Sequence, residues 1–206
     1  MRYTKTFALS IAGLLTIIIS LKAQDTCELK REEDNIRIYS CRIPGSALNA
    51  IRVEFEMNST IERYKSVVFD IDNYRSWRYR ETDQRILKRI SNTELIYYAR
   101  ITAPFPVSDR DMVSDLSMSQ DSVTKTLTVI VKSIPDYLPA VSNVVRVPKS
   151  ISVMKLTPIG VSRLKASCRI EADPGGQIPA WVINSFSTQA PYETFKNLRA
   201  KMEGSE

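Results

Sequence analysis

The sequence contains no histidine in 206 residues. Histidine triads, histidine metal sites and the commonest general acid–base near neutral pH are excluded together. There is no dense run of Lys or Arg either, which argues against nucleic acid as a partner. The formal charge of +6 is itself inflated by the N-terminus. Residues 1–23 hold Arg2, Lys5 and Lys22 and no acid, so the rest of the chain carries an excess of only three. Repeats, low-complexity tracts and linkers are also missing, and residues 25–203 read as a single domain. With 43% apolar and 25% charged residues, that length supports one sizeable core.

What the N-terminus does hold is a targeting pattern. Arg2 and Lys5 precede the apolar run Phe7–Leu21, and Leu21-Lys22-Ala23-Gln24 follows. Charged, apolar and small residues in that order predict a secretory signal over residues 1–23, cleaved after Ala23. The run is short for a membrane span, and the bland alternative is an uncleaved anchor. No cysteine follows Ala23, so the lipoprotein pattern is absent. The expected location is therefore the periplasm or the exterior, where cysteines can pair. Cys27 and Cys41 lie close enough in sequence to be bridged, with Cys168 left over. Bridged and free forms are both open, because sequence does not place the two sulfurs.

Periodicity gives the outline. Asn35–Cys41 and Ala50–Met57 alternate as strands across Pro44-Gly45-Ser46. Ser59-Thr60 caps a helix carrying Ile61, Tyr64, Val67, Val68 and Ile71, expected to end near Asn73. Trp77 follows in a short connection. Seven strands come next: 85–90, 94–103, 110–118, 124–133, 142–147, 150–157 and 162–172, each bounded by turn residues. Their spacing predicts an antiparallel meander. The expected class is α+β, a curved antiparallel sheet gripping helices on one side.

Alternation assigns faces. Leu164, Ala166, Cys168, Ile170 and Ala172 face inward, as do Leu95, Tyr97, Ala99, Ile101 and Ala103. On the strand from Arg110, the inward set is Arg110, Met112, Ser114, Leu116 and Met118. An arginine there costs several kcal/mol in desolvation unless it is paired. Two partners stay open: a structural carboxylate, or the phosphate or carboxylate of a ligand, whose geometry guanidinium fits. The stretch EADPGGQIPAWVINSF then turns sharply through Gly175 and Gly176, with Pro179 suited to a first helical turn. Ile178, Val182 and Phe186 recur every four residues, so this last helix is oily from its start and must lie on an apolar surface. Pro191 should kink it.

Three stretches together resemble the StAR-related lipid-transfer (START) family: YYARITAPFPVSDRDMV at 97–113, SNVVRV at 142–147 and DPGGQIPAWVIN at 173–184. The first and last are similar to its phosphatidylcholine-transfer branch. The resemblance implies a helix-grip fold, with a U-shaped sheet wrapped around a long C-terminal helix and a hydrophobic cavity for one lipid. It makes the helix 178–202 and the loop 103–108 the gate, and it places Arg110 at the family's arginine-aspartate pair. The ligand-binding residues so implied are Arg110, Tyr97, Met112, Leu116, Phe105, Trp181, Val182 and Phe186. Where sterol-transferring members carry an acid facing the arginine, this chain has Ala99. No choline-binding aromatic cage can be placed.

The leading expectation is a monomeric, non-enzymatic protein that needs no cofactor. It would bind one lipid or other hydrophobic small molecule and touch a membrane surface transiently, with Phe105 as a contact. Two alternatives stand beside it. One is an aromatase/cyclase-like enzyme, for which the inward faces offer little beyond Arg110, Tyr97 and Ser114. The other is an interaction domain with a collapsed, ligand-free core.

Overall fold

The structure is a computed structural model that describes residues 26–178 and 180–204; the side chains at 180, 181 and 184–186 are outside the described set. The expected signal segment 1–23 lies outside it as well. The chain runs β1 (Cys27–Glu33), β2 (Ile36–Arg42), β3 (Asn49–Met57), α1 (Ile61–Phe69), β4 (Glu81–Ser91), β5 (Glu94–Ile101) and β6 (Asp109–Gln120). It continues through β7 (Leu127–Ser133), β8 (Val144–Arg146), β9 (Lys149–Gly160), β10 (Arg163–Asp173) and α2 (Ala180–Glu203). The sheet order is β1-β2-β3-β10-β9-β7-β6-β5-β4, with β8 beside β6. The class is α+β, a large curved sheet with a long C-terminal helix.

The expected strands are present, with two corrections. The first is that the meander is not wholly antiparallel. β7 ends with Ser133 opposite Ser114, and the remaining length of β6 pairs with β8 in parallel. β9 then returns to pair with β7. The second is β1, which the sequence reading left out. Its residues CELKREE carry charge on both faces and give no apolar alternation, as suits an edge strand. Cys27 sits directly opposite Cys41 in the β1–β2 ladder, and the two form a disulfide.

α1 forms where its cap predicts. Thr60 Oγ1 accepts a hydrogen bond from the Arg63 amide at 3.2 Å, and Ile61, Tyr64, Val67 and Val68 are buried. It ends at Phe69, earlier than the spacing suggested, and a 3-10 turn over Ile71–Ser76 follows. Asp70 and Asn73 bond side chain to side chain at 2.7 Å, the kind of local pairing that competes with a helix interior.

Inner-face alternation holds for Leu95, Tyr97, Ala99, Leu116, Met118, Leu164, Ala166 and Cys168, all buried in one core. Ala172 is exposed at the end of β10 and does not join this core. β5 is buried on both faces: Ile96 and Tyr98 join Val113 in a second cluster under Ile134 and Leu138. α2 is held mainly at its C-terminal half. Phe195 packs against Phe55 with ring centroids 5.4 Å apart, and Tyr192, Leu198 and Met202 are buried. Tyr192 Oη donates to Asp34 Oδ2 at 2.6 Å, and Arg199 donates to the Asp34 carbonyl at 2.6 Å. Glu203 accepts from the Asn58 amide at 2.8 Å. Nearer the start, Val182 is buried and Ile183 is exposed.

Candidate functional site

Arg110 stands at the start of β6 and is 7% exposed. The carboxylate partner that sequence reasoning allowed does not exist among the described residues. Its Nη1 donates to the Ser108 carbonyl, and its Nη2 donates to the Gly175 carbonyl at 3.2 Å. The neighbouring acids are already engaged. Asp109 pairs with Arg100 at 2.8 Å and accepts from the Ala103 amide at 3.1 Å. Asp111, on the outer face, is held by Arg146. Burial lowers the Arg110 pKa, and the Asp109 charge works against that. Arg110 therefore ties the 103–108 loop and the 173–176 turn to one strand end. Its Nε is buried without a partner.

The turn explains its glycines. Gly175 has φ +65°, and a Cβ there would meet Pro148 Cδ at 3.0 Å and the Val145 side chain at 3.3 Å. Gly176 follows at φ +66°. Only glycine takes both conformations at this proximity without strain, and Asp173 Oδ1 accepts from the Gly175 amide at 2.9 Å. The chain thus passes from β10 to α2 pressed against β8 and Arg110.

A second polar group lies inside the sheet and was not recognised in the sequence. The 3-10 turn continues into a bend in which Trp77 and Arg78 both donate their amides to the Tyr74 carbonyl, at 3.0 and 2.8 Å. Arg80, at φ +59°, then turns the chain into β4. This places Arg78 over the rings of Tyr74 and Trp77, 4.5 and 4.9 Å from their centroids. Tyr74 is 5.7 Å from Tyr97, ring to ring. Glu81 lies 3.8 Å from Arg78, the outer limit of an ion pair. Burial raises the Glu81 pKa, and Arg78 offsets it in part. Burial disfavours the Arg78 charge, but Tyr97 and Glu81 outweigh it and hold the pKa above the ordinary arginine value. The Tyr97 hydroxyl is likewise raised by burial.

The expected ligand-binding residues separate into three groups. Tyr97 and Leu116 are fully buried in the main core, and Met112 is half-buried beside them. Phe105, expected in the gate loop and as a membrane contact, is 94% exposed. On α2, Val182 is buried, while the side chains of Trp181 and Phe186 are outside the described set. Cys168 is enclosed by apolar neighbours, with its thiol pushed up to about 11 by burial. A surface hollow of about 440 Å³ lies at the far end of β6, lined by polar residues such as Ser119, Asp121, Thr126 and Lys155. It is open and distant from both arginines, so the interior is the better candidate site.

This fold, with its arginine-aspartate strand and glycine turn, is that of the START domain family, which matches residues 24–206. The chain belongs to that family. An uncharacterized protein of Pseudomonas aeruginosa is 28% identical over 176 residues, 85% of this chain and 86% of its own. The phosphatidylcholine transfer protein of Rattus norvegicus is 25% identical over 163 residues, 76% of this chain and 74% of its own. The crystal structure of a STAR-related lipid transfer protein from Xanthomonas axonopodis matches with a TM-score of 0.79 at 29% identity, covering 86% of this chain and 99% of that one.

Proposed function

We propose that the protein binds one lipid molecule inside the sheet and carries it between membranes outside the cytoplasm. The observation that carries this reading is the concave sheet face, apolar from Phe55 to Leu116 and covered by α2. Membership of the START family supports it, as do the lipid-transfer relatives. At ~25 cal/mol per Å² of apolar surface removed from water, an acyl chain in such an interior binds tightly without any chemistry. The signal pattern at residues 1–23 supports export.

The gate is the N-terminal half of α2 with the 103–108 loop. Arg110 serves that gate, since its guanidinium fastens the loop carbonyl at Ser108 and the turn carbonyl at Gly175 to one point. Pro191 marks the boundary between the tethered half of α2 and the half that moves. Phe105, flanked by Pro104 and Pro106, meets the membrane.

The test is native mass spectrometry of the exported, disulfide-bonded protein, followed by extraction of its ligand. One lipid per chain is expected, together with transfer of labelled phosphatidylcholine between vesicles. A bare protein that takes up no lipid from vesicles overturns the reading.

A further inference from the structure

Among the described residues eight buried side-chain polar atoms have no partner, and four of them fall in one neighbourhood. Trp77 Nε1, Arg78 Nε, Glu81 Oε1 and Tyr97 Oη are all buried and have no partner. Three of these residues are more than nine-tenths buried: Trp77 at 3%, Glu81 at 4% and Tyr97 at 0% exposure. Tyr74 joins them, since Trp77, Arg78 and Tyr97 all pack on its ring. Its own hydroxyl is satisfied by the Val68 carbonyl. A buried donor left unpaired costs roughly 1–3 kcal/mol, and natural proteins hold few of them. Three such donors around one ring, with the Glu81 carboxyl oxygen beside Arg78, depart from that habit.

The types of the unpaired atoms indicate what fits. Trp77 and Arg78 can only donate, Tyr97 can donate, and Arg78 brings a positive charge. Its one acidic neighbour, Glu81, is 3.8 Å away, the outer limit of an ion pair, and leaves the guanidinium donors unfilled. Arg78 also keeps 24% of its side-chain surface accessible, although it is desolvated by the protein around it. Its complement is a group that accepts several hydrogen bonds and carries negative charge.

We infer that Trp77, Arg78, Glu81 and Tyr97 form a subsite for an anionic oxygen acid, a carboxylate or phosphate, on the head of the amphiphile held in the interior. The inference rests on the lipid-carrier reading and adds the headgroup's chemistry and place. The headgroup is taken inward to the base of α1 and β4, and the apolar tail lies along the faces of β5, β6 and β10. Arg110, with both Nη atoms committed to backbone carbonyls, has only its Nε left to offer a ligand.

The experiment compares matched ligands with the full exported protein at 0.15 M salt, about physiological ionic strength. Oleate is set against oleyl alcohol, and phosphatidic acid against diacylglycerol in vesicles otherwise identical, with inorganic phosphate titrated alone. The acid of each pair should bind about tenfold tighter or more, the worth of one charge-assisted hydrogen bond. Arg78→Gln should bring the acids to the level of the neutral ligands and leave the neutral ligands unchanged, with Arg78→Lys intermediate. Equal binding of acid and neutral ligands by the wild-type protein overturns the subsite while leaving the carrier reading intact. Failure of every ligand to bind overturns both. Inorganic phosphate that binds as tightly as phosphatidic acid overturns the headgroup assignment in favour of a free anion. Should Arg78→Gln fail to fold, the wild-type comparison still decides, and Tyr97→Phe should weaken the acids selectively.

Discussion

Asp111 with Arg146 and Glu81 with Arg78 are both buried neighbours of opposite charge, and they are built to opposite standards. Arg146 clasps Asp111 in two parallel bonds, Nε to Oδ1 at 2.8 Å and Nη2 to Oδ2 at 2.9 Å. Its remaining donors reach the carbonyls of Pro135, Leu138 and Pro139. Asp111 has no exposed surface, and β6, β8 and the 134–139 segment are fastened by this one cluster. Arg78 and Glu81 meet at a single long contact, with aromatic faces in place of acceptors. The first arrangement is complete and holds strands together. The second is incomplete, with Trp77 Nε1 and Tyr97 Oη unpaired beside it, and its unfilled valences suit a guest.

The largest effect should come from the completed pair. Asp111→Asn leaves a buried guanidinium without its carboxylate and should cost about 3–5 kcal/mol, read from the urea midpoint at unchanged slope. Arg110→Leu comes next. It strips the Ser108 and Gly175 carbonyls of their donor and should cost about 1–3 kcal/mol, with faster exchange of lipid through a loosened gate. Unchanged stability there would show that those two carbonyls find another donor or water. Tyr97→Phe should leave the unliganded protein within about 1 kcal/mol of wild type, because the hydroxyl removed has no partner. A loss well beyond that would mean that Ser114, its cross-strand neighbour, already satisfies it.

The smallest effect belongs to the exposed clamp at Asp34. The Tyr192 hydroxyl, and after it Lys196, hold the Asp34 carboxyl below the usual aspartate value. A folded pKa below the unfolded one gives stability above the ordinary aspartate range, and that stability is lost as pH falls through the folded value. Acid should therefore loosen the C-terminal half of α2 by this route. In Asp34→Asn that part of the pH dependence of thermal unfolding should disappear, with a steep wild-type-like acid slope counting against the clamp.

Much of the architecture was legible in the sequence because most strands bury one face and follow the period of two. Leu164, Ala166 and Cys168 announce the inner wall in this way. β1 was not legible, since it is stitched on by backbone bonds and a disulfide and not by an apolar stripe. The double burial of β5 depends on Ile134 and Leu138 arriving from a later excursion, which no local pattern reports. Asp111 and Arg146 are 35 residues apart and meet through a parallel pairing that the meander expectation ruled out. Arg110 was found because it breaks an alternation. Arg78 was missed because it sits in a connection that has no alternation to break. The signal available there was compositional: Tyr74, Trp77 and Tyr79 interleaved with Arg75, Arg78 and Arg80.

Among the described residues the sheet also has two rims, β1 and β4, whose outward backbone groups have no neighbouring strand. Such rims invite other chains to add themselves. β1 presents Glu28, Lys30, Arg31, Glu32 and Glu33 in close succession and is pinned at Cys27; β4 carries Asp83, Arg85, Lys88 and Arg89, with ladder irregularities at three points. A strand approaching either rim would have to bury those charges and follow a broken register. The same residues that hid β1 from a reading of apolar pattern thus keep crowded copies of the protein from zipping into fibres.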